Sequence, residues 1–534
     1  MQAAEIHQFE LVFLLLLGFV VGFGTLAQRL KIPYPIVLVM GGLLLSLIPG
    51  LPRVSINPDL IFLVMLPPLL FSAAFNTSWR DFQRNLAPIL SLAFGLVAFT
   101  TLGVGLTADW LLPGFDWRLG MVLGAVLSPT DAIAATSIAK RLALPRRIVD
   151  VLEGESLVND GSGLLALEFA VAMVVSGYTP TATEALWRLI FLVVIGVATG
   201  LVLGKLVYVF ETWVDNAPIE ITASIVVPYV AYLGAEAIHA SGVLSVVACG
   251  LYLGRRSSTY YSSSARIQSW ATWNTLTFIL NGIAFLLIGL QLRYVLGAIR
   301  SLSLQGLAFS AAVVVTVVIL LRLAWVYPGA YTSLLVARIF KQPRRPMSGR
   351  GIFITGWTGM RGVISLAAAI SLPVTLASGK PFPQRNVIIF LTFCVIFVTL
   401  VLQGLTLPPL IRSLGLSRAG EKNSEEEKAR RRMIRSALEQ LDRIRAEDNG
   451  QFESVYEDVA EHYRARLAAV GGKADETGEV KPEDLQRYRD ITRKLREVER
   501  AAALQLRNRG EINDAVLRRL ERELDLLDER YALR

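Results

Sequence analysis

The chain has 534 residues, of which 53% are hydrophobic, and a formal net charge of +9. Soluble domains contain about 45–50% apolar residues, so this composition argues against a purely soluble protein. Residues 418–534 hold 26 Lys/Arg and 27 Asp/Glu, so the basic excess belongs to the apolar part before them. We therefore do not interpret the net charge as a nucleic-acid-binding surface. The two cysteines, Cys249 and Cys394, lie in apolar runs and suggest neither a disulfide framework nor a metal site.

Residues 1–417 form a series of apolar runs, each long enough to cross a hydrocarbon core about 30 Å thick. The first run has no Lys or Arg before it and no clear cleavage motif, so we interpret it as a retained span rather than a signal peptide. The pattern predicts an all-α polytopic membrane protein with about thirteen transmembrane helices. Their approximate limits are 9–28, 33–49, 58–76, 86–112, 118–140, 148–175, 187–210, 217–237, 240–256, 268–292, 304–335, 350–376 and 385–413.

Two of these spans look interrupted. The fifth contains "VLSPTDAIAAT", in which Pro129 precedes Thr130 and Asp131, and the twelfth contains "GWTGMRGVIS", with glycines on both sides of Arg361. Broken helices at corresponding positions of two halves indicate an inverted-repeat transporter with its site near mid-membrane. If the thirteen spans form a repeat of six, one linker span and a second repeat of six, the fifth and twelfth spans occupy the same position in the two repeats. Asp131 and Arg361 would then balance the partial charges of the unwound backbone.

Charged residues on three spans lie at similar depth. Asp131, Asp160 and Arg361 are each about eleven to thirteen residues into their predicted spans, which is near the membrane midplane at about 1.5 Å per residue. Charges at that depth are costly and either line a transport pathway or form a structural ion-pair cluster. We favour the pathway.

The sixth span carries the densest polar sequence, "LEGESLVNDGSGLLALE" (152–168). Ser156 and Asp160 are i,i+4 neighbours, and so are Glu155 and Asn159. Such oxygen ligands suit a hard cation that must lose part of its water shell. A carboxylate withdrawn from water can also hold a proton. One site that holds either a proton or a cation is the minimum chemistry of an exchanger.

Other charged residues in the spans leave alternatives open. Glu153 is seven residues before Asp160. It either lines an inner funnel or lies near a helix start, where an acidic side chain complements the helix dipole. Arg322 lies inside the apolar run "VVILLRLAWVY" and needs a partner. We expect a structural or gating pair for Arg322, with the partner not identified by the sequence.

The distribution of basic residues predicts the orientation. "KRLALPRR" (140–147) and "VARIFKQPRRPMSGR" (336–350) dominate one set of loops, so the N-terminus is expected outside and the C-terminus in the cytoplasm. We divide the chain into a transmembrane domain, residues 1–417, and a cytoplasmic helical tail, residues 418–534. The apolar positions of the tail recur at helical spacing, so we expect a helical module that contacts itself, a dimer mate or the transporter.

Several motifs resemble one known family. "SPTDAIAA", "LEGESLVNDGSGLL" and "GWTGMRGVISLAAA" are similar to monovalent cation:proton antiporters of the NhaP type, especially bacterial sodium/proton exchangers. "MLPPLLFSAAFNTSWRDF" (65–82), "SGVLSVVACGLYLGRR" (241–256) and the tail segment "GEINDAVLRRLERELDLLDER" (510–530) fit the same family. The resemblance covers nearly the whole chain.

The resemblance implies roles for individual residues. Asp160 would exchange H⁺ for the cation, Ser156 and Thr130 would supply oxygen ligands to Na⁺, and Asn159 would support the site. Asp131 would cap the broken helices, and Glu155 and Arg361 would form a buried ion pair. The resemblance further implies a homodimer, an elevator-like movement and electroneutral exchange, because Asn159 stands where electrogenic relatives have a second Asp.

The chain departs from the family pattern at two positions. Ser72 stands where many relatives carry an acidic residue after "PPLLF". The contribution of the third span to the cation site is therefore open, and so is the cation selectivity. Glu168 stands where relatives often carry a basic residue. It lies two turns outward from Asp160, where it either forms an outer vestibule or is an ordinary helix-end acid.

The sequence therefore predicts a multi-pass antiporter of the plasma (inner) membrane that serves pH homeostasis. It would exchange Na⁺, or Li⁺ or K⁺, for H⁺ without a cofactor or a nucleic-acid partner. A K⁺/H⁺ exchanger is the alternative on the same scaffold. A cation channel is disfavoured because no filter-like carbonyl loop is present, and a membrane sensor should tolerate loss of Asp160. Three histidines and no nucleophile motif leave little for an enzyme.

Overall fold

The computed structural model describes residues 2–48, 61–177, 181–299, 303–339, 347–376, 378–417, 424–448 and 452–470, together with residue 179 and scattered positions between 497 and 520. It divides into two compact units, residues 1–419 and 420–534. The beginning of the predicted third span and almost all of the tail segment 510–530 lie outside the described residues.

The first unit is helical throughout its described part, apart from one isolated β-bridge between Thr375 and Pro381. Its helices are α1 Gln2–Leu30, α2 Tyr34–Ser46, α3 Leu66–Asn76, α4 Trp79–Arg84, α5 Leu86–Leu90, α6 Val97–Leu111, α7 Trp117–Leu127, α8 Ala132–Arg141, α9 Arg146–Ser176, α10 Ala182–Glu211, α11 Ala217–Glu236, α12 Gly242–Tyr260, α13 Ser263–Leu290, α14 Leu292–Ala298, α15 Leu304–Ile339, α16 Gly349–Trp357, α17 Val363–Ile370, α18 Arg385–Val398 and α19 Gly404–Ser413. Three π-helical turns, Ile61–Met65, Ser91–Leu96 and Thr399–Gln403, continue into α3, α6 and α19.

Nine segments of the described residues are helical, long and apolar enough to cross a membrane. Tyr34–Ser46 and Ile61–Asn76 are shorter apolar helices. The other two predicted spans correspond to α12 and to the broken segment of α16 and α17. The all-helical class is confirmed, whereas the number of thirteen crossings and the inverted repeat stay predictions. Large apolar and aromatic side chains such as Leu14, Leu106 and Trp187 are exposed, as expected for a surface that faces lipid.

Both predicted interruptions are present. The fifth span consists of α7 and α8 with an extended stretch between Leu127 and Ala132, and the twelfth consists of α16 and α17 with residues 358–362 between them. Proline disfavours helical geometry for the residue before it, and glycine adds backbone freedom, so "SPTD" and "GMRG" are consistent with ends at these places. The Asp131 N–H donates to the Met360 carbonyl at 2.8 Å. The two breaks therefore lie against each other.

Helix α9 lies in the core of the first unit and carries most of the predicted site. It starts after Pro145 and ends at Gly177, whose φ of 71° is the left-handed conformation that terminates helices. One face packs against α7 and another against the π-helical turn Ser91–Leu96. Fifteen of its 31 residues are buried, among them Glu155, Asn159 and Asp160. Polar groups so deeply enclosed need partners within the protein.

The second unit contains two described helices, α20 Ser424–Glu447 and α21 Glu453–Val470, which pack against each other. Arg445 pairs with Glu453 across the turn between them, and Arg464 contacts Glu457 at 2.9 Å. Ile434 and Ala460 are buried between charged exposed faces. The described part of the tail is thus helical, as its periodicity indicates.

Candidate functional site

A cavity of about 320 Å³ lies beside the two breaks. Helices α3, α8, α9, α13 and α17 all contribute to its wall. Its polar lining comprises Ser72, Asn76, Thr130, Asp131, Thr136, Lys140, Glu153, Ser156, Asp160, Thr277, Asn281 and Ser365. The cavity therefore brings together most of the residues that the sequence singled out on different spans.

Asp160 lies on the wall of this cavity. The residue is 3% exposed, and no hydrogen bond or ion pair to its carboxylate occurs among the described residues. Ser156 lines the cavity one turn before it, and the Ser156 hydroxyl accepts the Ala132 N–H at 3.4 Å. Asp160 and Ser156 thus present oxygen atoms to a shared space, as the i,i+4 spacing predicts.

The Thr130 hydroxyl is committed to two side chains. It donates to Glu155 Oε1 at 2.9 Å and accepts from Asn159 Nδ2 at 2.5 Å. Asn159 is 1% exposed, and its Oδ1 has no partner in the described part of the chain. The contact fixes the extended stretch between α7 and α8 to helix α9. It also holds the side chain of Asn159, whose amide group does not ionise, in a fixed position.

The predicted ion pair between Glu155 and Arg361 is wrong, because Glu155 pairs with Arg322. Arg322 Nη1 and Nη2 contact the two carboxylate oxygens of Glu155 at 2.5 and 2.9 Å. Arg322 also donates to the carbonyls of Gly356 and Thr355, both at 3.1 Å, at the end of α16. Both charged side chains are 1–2% exposed. The partner that Arg322 required is therefore Glu155, in a bidentate pair that joins α9, α15 and α16.

Arg361 instead binds the unwound backbone of the opposite break. Its Nη1 donates to the carbonyls of Ser128 and Pro129, the latter at 3.1 Å. The residue is fully buried, and Nε and Nη2 have no hydrogen-bond partner among the described residues. The carbonyls at the end of α7 lack helical donors, so a cation there offsets their partial negative charge. This placement explains why Arg361 does not reach Glu155.

Asp131 serves the other end of the same break. Its carboxylate accepts the Ile133 N–H at 2.8 Å and caps the first turn of α8, where a negative charge complements the helix dipole. The Cα of Gly362 faces Asp131 so closely that an added Cβ would overlap the carboxylate group. A glycine is therefore required for the two breaks to approach each other.

Two residues of the third and tenth predicted spans complete the polar lining. Ser72 on α3 lies in the cavity wall, at the position where many relatives carry an acid. Asn281 on α13 lies in the same wall. The sequence interpretation missed Asn281, although a lone amide inside the apolar run "FILNGIAFLL" is the kind of signal that marks a polar lining in a membrane helix.

The two flanking acids of α9 both form ion pairs. Glu153 lines the cavity and contacts Lys140 at 2.8 Å. Glu168 contacts Arg188 at 3.5 Å, and both lie in the wall of a separate cavity of about 240 Å³ with Glu236 and His239. Gly161 and Ser162 also line this second cavity, so the two cavities flank Asp160 along α9.

Two helix breaks that lie against each other, a cavity beside them and an ionisable residue in its wall are typical of a secondary transporter. The sodium/hydrogen exchanger transmembrane family model matches residues 12–413. The chain therefore belongs to the sodium/hydrogen exchanger family. This is a family of secondary transporters, and the match supports a multi-pass membrane antiporter of monovalent cations and protons.

Similar proteins from other organisms extend this match. The uncharacterized Na⁺/H⁺ exchanger Rv2287 of Mycobacterium tuberculosis is 36% identical over 97% of this chain and 95% of the relative. The Na⁺/H⁺ antiporter ApNhaP of Aphanothece halophytica is 31% identical over 81% of this chain and 80% of that protein. The sodium, potassium, lithium and rubidium/H⁺ antiporter of Bacillus pumilus is 33% identical over 82% of this chain and 66% of that protein.

The fold is also similar to a solved structure, the sodium proton antiporter MjNhaP1 from Methanocaldococcus jannaschii. The TM-score is 0.59 at 19% sequence identity, over 76% of this chain and 97% of that chain. At this identity the similarity supports the fold and not the cation.

Proposed function

We propose that the protein exchanges Na⁺ for H⁺ by competition of the two ions at Asp160. The observation that supports this most directly is the placement of Asp160: a nearly buried carboxylate without a side-chain counter-ion among the described residues, in the wall of a cavity between two helix breaks. A cation or a proton neutralises that charge, and the two cannot do so together.

The oxygen ligands follow from the contacts. Asp160 contributes its carboxylate, and Ser156 its hydroxyl one turn away. We assign the contribution of Thr130 to its backbone carbonyl, because its hydroxyl is used by Glu155 and Asn159. Water molecules and the Asn281 amide in the same wall would complete the coordination of a hard cation. Asp131 stays a supporting residue, since its carboxylate caps α8.

Electroneutral one-for-one exchange is the stoichiometry we propose. Asn159 is neutral and bound to Thr130, so it carries no second proton. Glu155 is neutralised by Arg322. Among the described acids of the cavity wall, Asp131 caps α8 and Glu153 pairs with Lys140. Asp160 is thus left to alternate between one proton and one monovalent cation, so each transport cycle moves no net charge.

The identity of the cation depends on the cavity wall at Ser72. A hydroxyl in place of a carboxylate gives a weaker field, which discriminates less strongly in favour of a small cation. The relatives include both an antiporter described for Na⁺ and one described for Na⁺, K⁺, Li⁺ and Rb⁺. We propose Na⁺ as the main substrate, with K⁺/H⁺ exchange as the alternative on the same site.

We propose vestibules on both sides of Asp160. Lys140 and Glu153 stand at the cavity that contains Asp160, and the orientation expected from the basic loops makes this side cytoplasmic. Glu168, Arg188, Glu236 and His239 surround the second cavity on the outer side. The N-terminus would be outside, the tail cytoplasmic, and the protein a homodimer in the inner membrane whose core helices move during alternating access.

The proposal is tested by cation-induced dissipation of a pH gradient in proteoliposomes, with Asp160→Asn beside the wild-type protein. Wild type should show Na⁺-dependent H⁺ flux, and Asp160→Asn should lose it. Glu153→Gln is the matched control, since it removes a carboxylate from the same cavity but leaves Asp160. Full exchange by Asp160→Asn would refute the mechanism, and cation flux without H⁺ coupling would favour a channel.

Titration with Na⁺, Li⁺ and K⁺ in the same assay identifies the substrate. Exchange that is unaffected by an imposed membrane potential would support electroneutrality. A rate that follows the potential would refute the one-for-one stoichiometry.

A further inference from the structure

A second pair of buried carboxylates lies away from the cation cavity, where one helix ends and the next begins. Glu211 is the last residue of α10, and Glu220 lies in the first turn of α11. The two residues are 2% and 1% exposed. Both oxygens of Glu220 and Oε2 of Glu211 lack a hydrogen-bond partner within the described residues. Backbone groups of Asn216 and Ser262 approach Glu220, but at geometries outside the normal hydrogen-bond range.

The surroundings of this pair supply no counter-charge. Glu220 is close enough to Glu211 to act on it electrostatically, and Asp215 in the connecting loop adds a third negative charge near Glu220. No Lys, Arg or His forms an ion pair with Glu211 or Glu220 in the described part of the chain. The titratable groups around the pair include Tyr260, Tyr261 and Cys249. Two cations lie beyond them: Arg256 over the rings of Tyr208 and Tyr252, and Arg266, which donates to the Tyr261 carbonyl at 2.9 Å.

Two carboxylates enclosed in this way cannot both be ionised at acceptable cost. A multidentate metal ion is not the answer, because no group of three or more metal-ligating side chains occurs among the described residues. We propose that Glu211 and Glu220 form a second proton-binding site, distinct from Asp160, which retains at least one proton in the folded protein.

Aromatic contacts connect this site to the wall of the cation cavity. Ser224, one turn after Glu220, accepts a hydrogen bond from Trp273 Nε1 at 3.1 Å. The Trp273 ring lies 5.5 Å from the ring of Phe71, and the Tyr261 ring 6.2 Å from that of Phe75. Phe71 and Phe75 belong to α3, the helix that places Ser72 in the cavity.

Loss of the shared proton therefore acts on transport through α3. Repulsion between two ionised carboxylates would separate the ends of α10 and α11 and loosen the contact of Trp273 with α3. Exchange should consequently decline at alkaline pH in the wild-type protein. This effect on transport rests on the exchange function proposed above, whereas the proton site itself does not.

Proton binding is tested without transport, by the melting temperature of the purified full-length protein in detergent from about pH 6 to about pH 9. A proton that the folded protein holds and the unfolded chain releases makes stability fall as pH rises. Glu220→Gln and Glu211→Gln remove one acid each at constant volume, so their melting temperatures should fall less steeply than that of wild type. Asp109→Asn is the matched control, because it removes an exposed carboxylate on α6, outside the connection between α10 and α11, and should keep the wild-type slope.

The coupling to transport is tested by the pH profile of Na⁺/H⁺ exchange in proteoliposomes. In Glu220→Gln or Glu211→Gln the alkaline decline should be lost, because a single carboxylate has no partner to repel, and the maximal rate should be retained. Wild-type slopes of melting temperature in both variants would overturn the proton site. Altered slopes with an unchanged transport profile would overturn the coupling through α3. A wild-type protein without exchange would refute the proposed function, and the melting temperatures would still decide whether the proton site exists. If Glu220→Gln does not fold, Glu211→Gln takes its place.

Discussion

Replacing Arg322 with methionine should destabilise the first unit by about 3–5 kcal/mol, the usual cost of leaving one member of a buried pair uncompensated. The contacts explain the size of the effect. Arg322 provides two of the three hydrogen bonds that reach Glu155, and the third comes from the Thr130 hydroxyl. The substitution also releases the carbonyls of Gly356 and Thr355 at the end of α16. Both partners are almost completely buried, so solvent does not screen the loss.

A double-mutant cycle separates the pair from its surroundings. Arg322→Met, Glu155→Met and the double variant are unfolded by sodium dodecyl sulfate in mixed micelles, and the free energy of unfolding is compared with that of wild type. The double variant should recover a large part of the loss, because it buries no unpaired charge. Arg361→Met provides the matched cycle with Glu155→Met. Arg361 donates to backbone carbonyls, so its coupling to Glu155 should be clearly smaller.

The result that would refute this reasoning is a coupling of Glu155 to Arg361 that equals or exceeds its coupling to Arg322. Single variants as stable as wild type would equally show that the bidentate contact does not hold α9, α15 and α16 together.

Two further predictions concern the breaks and the cavity wall. Gly362→Ala should abolish exchange in the proteoliposome assay, because the added Cβ would overlap the Asp131 carboxylate. Gly349→Ala is the control and should retain exchange, because a Cβ at position 349 meets no neighbouring atom. Equal activities of the two variants would contradict the close approach of the breaks. Ser72→Asp adds a carboxylate to the wall of the Asp160 cavity and should lower the KM for Na⁺ more than that for K⁺, with Ser72→Asn as the neutral control. An equal change for both cations, or an equal effect of Ser72→Asn, would show that position 72 does not set selectivity.

The sequence predicted the parts of the site that depend on spacing along one helix. Ser156 and Asp160 share a cavity because an i,i+4 pair lies on one face, and both breaks fall where proline and glycine punctuate apolar runs. The helical rise also predicts a similar depth for Asp131, Asp160 and Arg361. In the structure Asp131 and Asp160 line one cavity, and Arg361 contacts the Pro129 carbonyl. These features are local, so no knowledge of neighbouring helices was needed.

Lateral neighbours could not be predicted in the same way. Arg322 and Arg361 both lie deep in their spans, and spacing does not say which of them faces Glu155. The structure assigns Arg322 to Glu155 and Arg361 to the carbonyls of Ser128 and Pro129. Glu211 and Glu220 were missed for a related reason. Acids at helix ends are usually solvated, and only the packing of α12 and α13 over them makes these two buried.

The reciprocal bonding of the two breaks has a consequence for protein engineering. The Asp131 N–H reaches the Met360 carbonyl, while Arg361 reaches back to the carbonyls of Ser128 and Pro129. Each segment satisfies part of its backbone through the other, so neither should fold as an insert without the other. Chimeras with a relative should therefore exchange residues 128–132 and 358–363 together, as one unit assembled from distant parts of the chain.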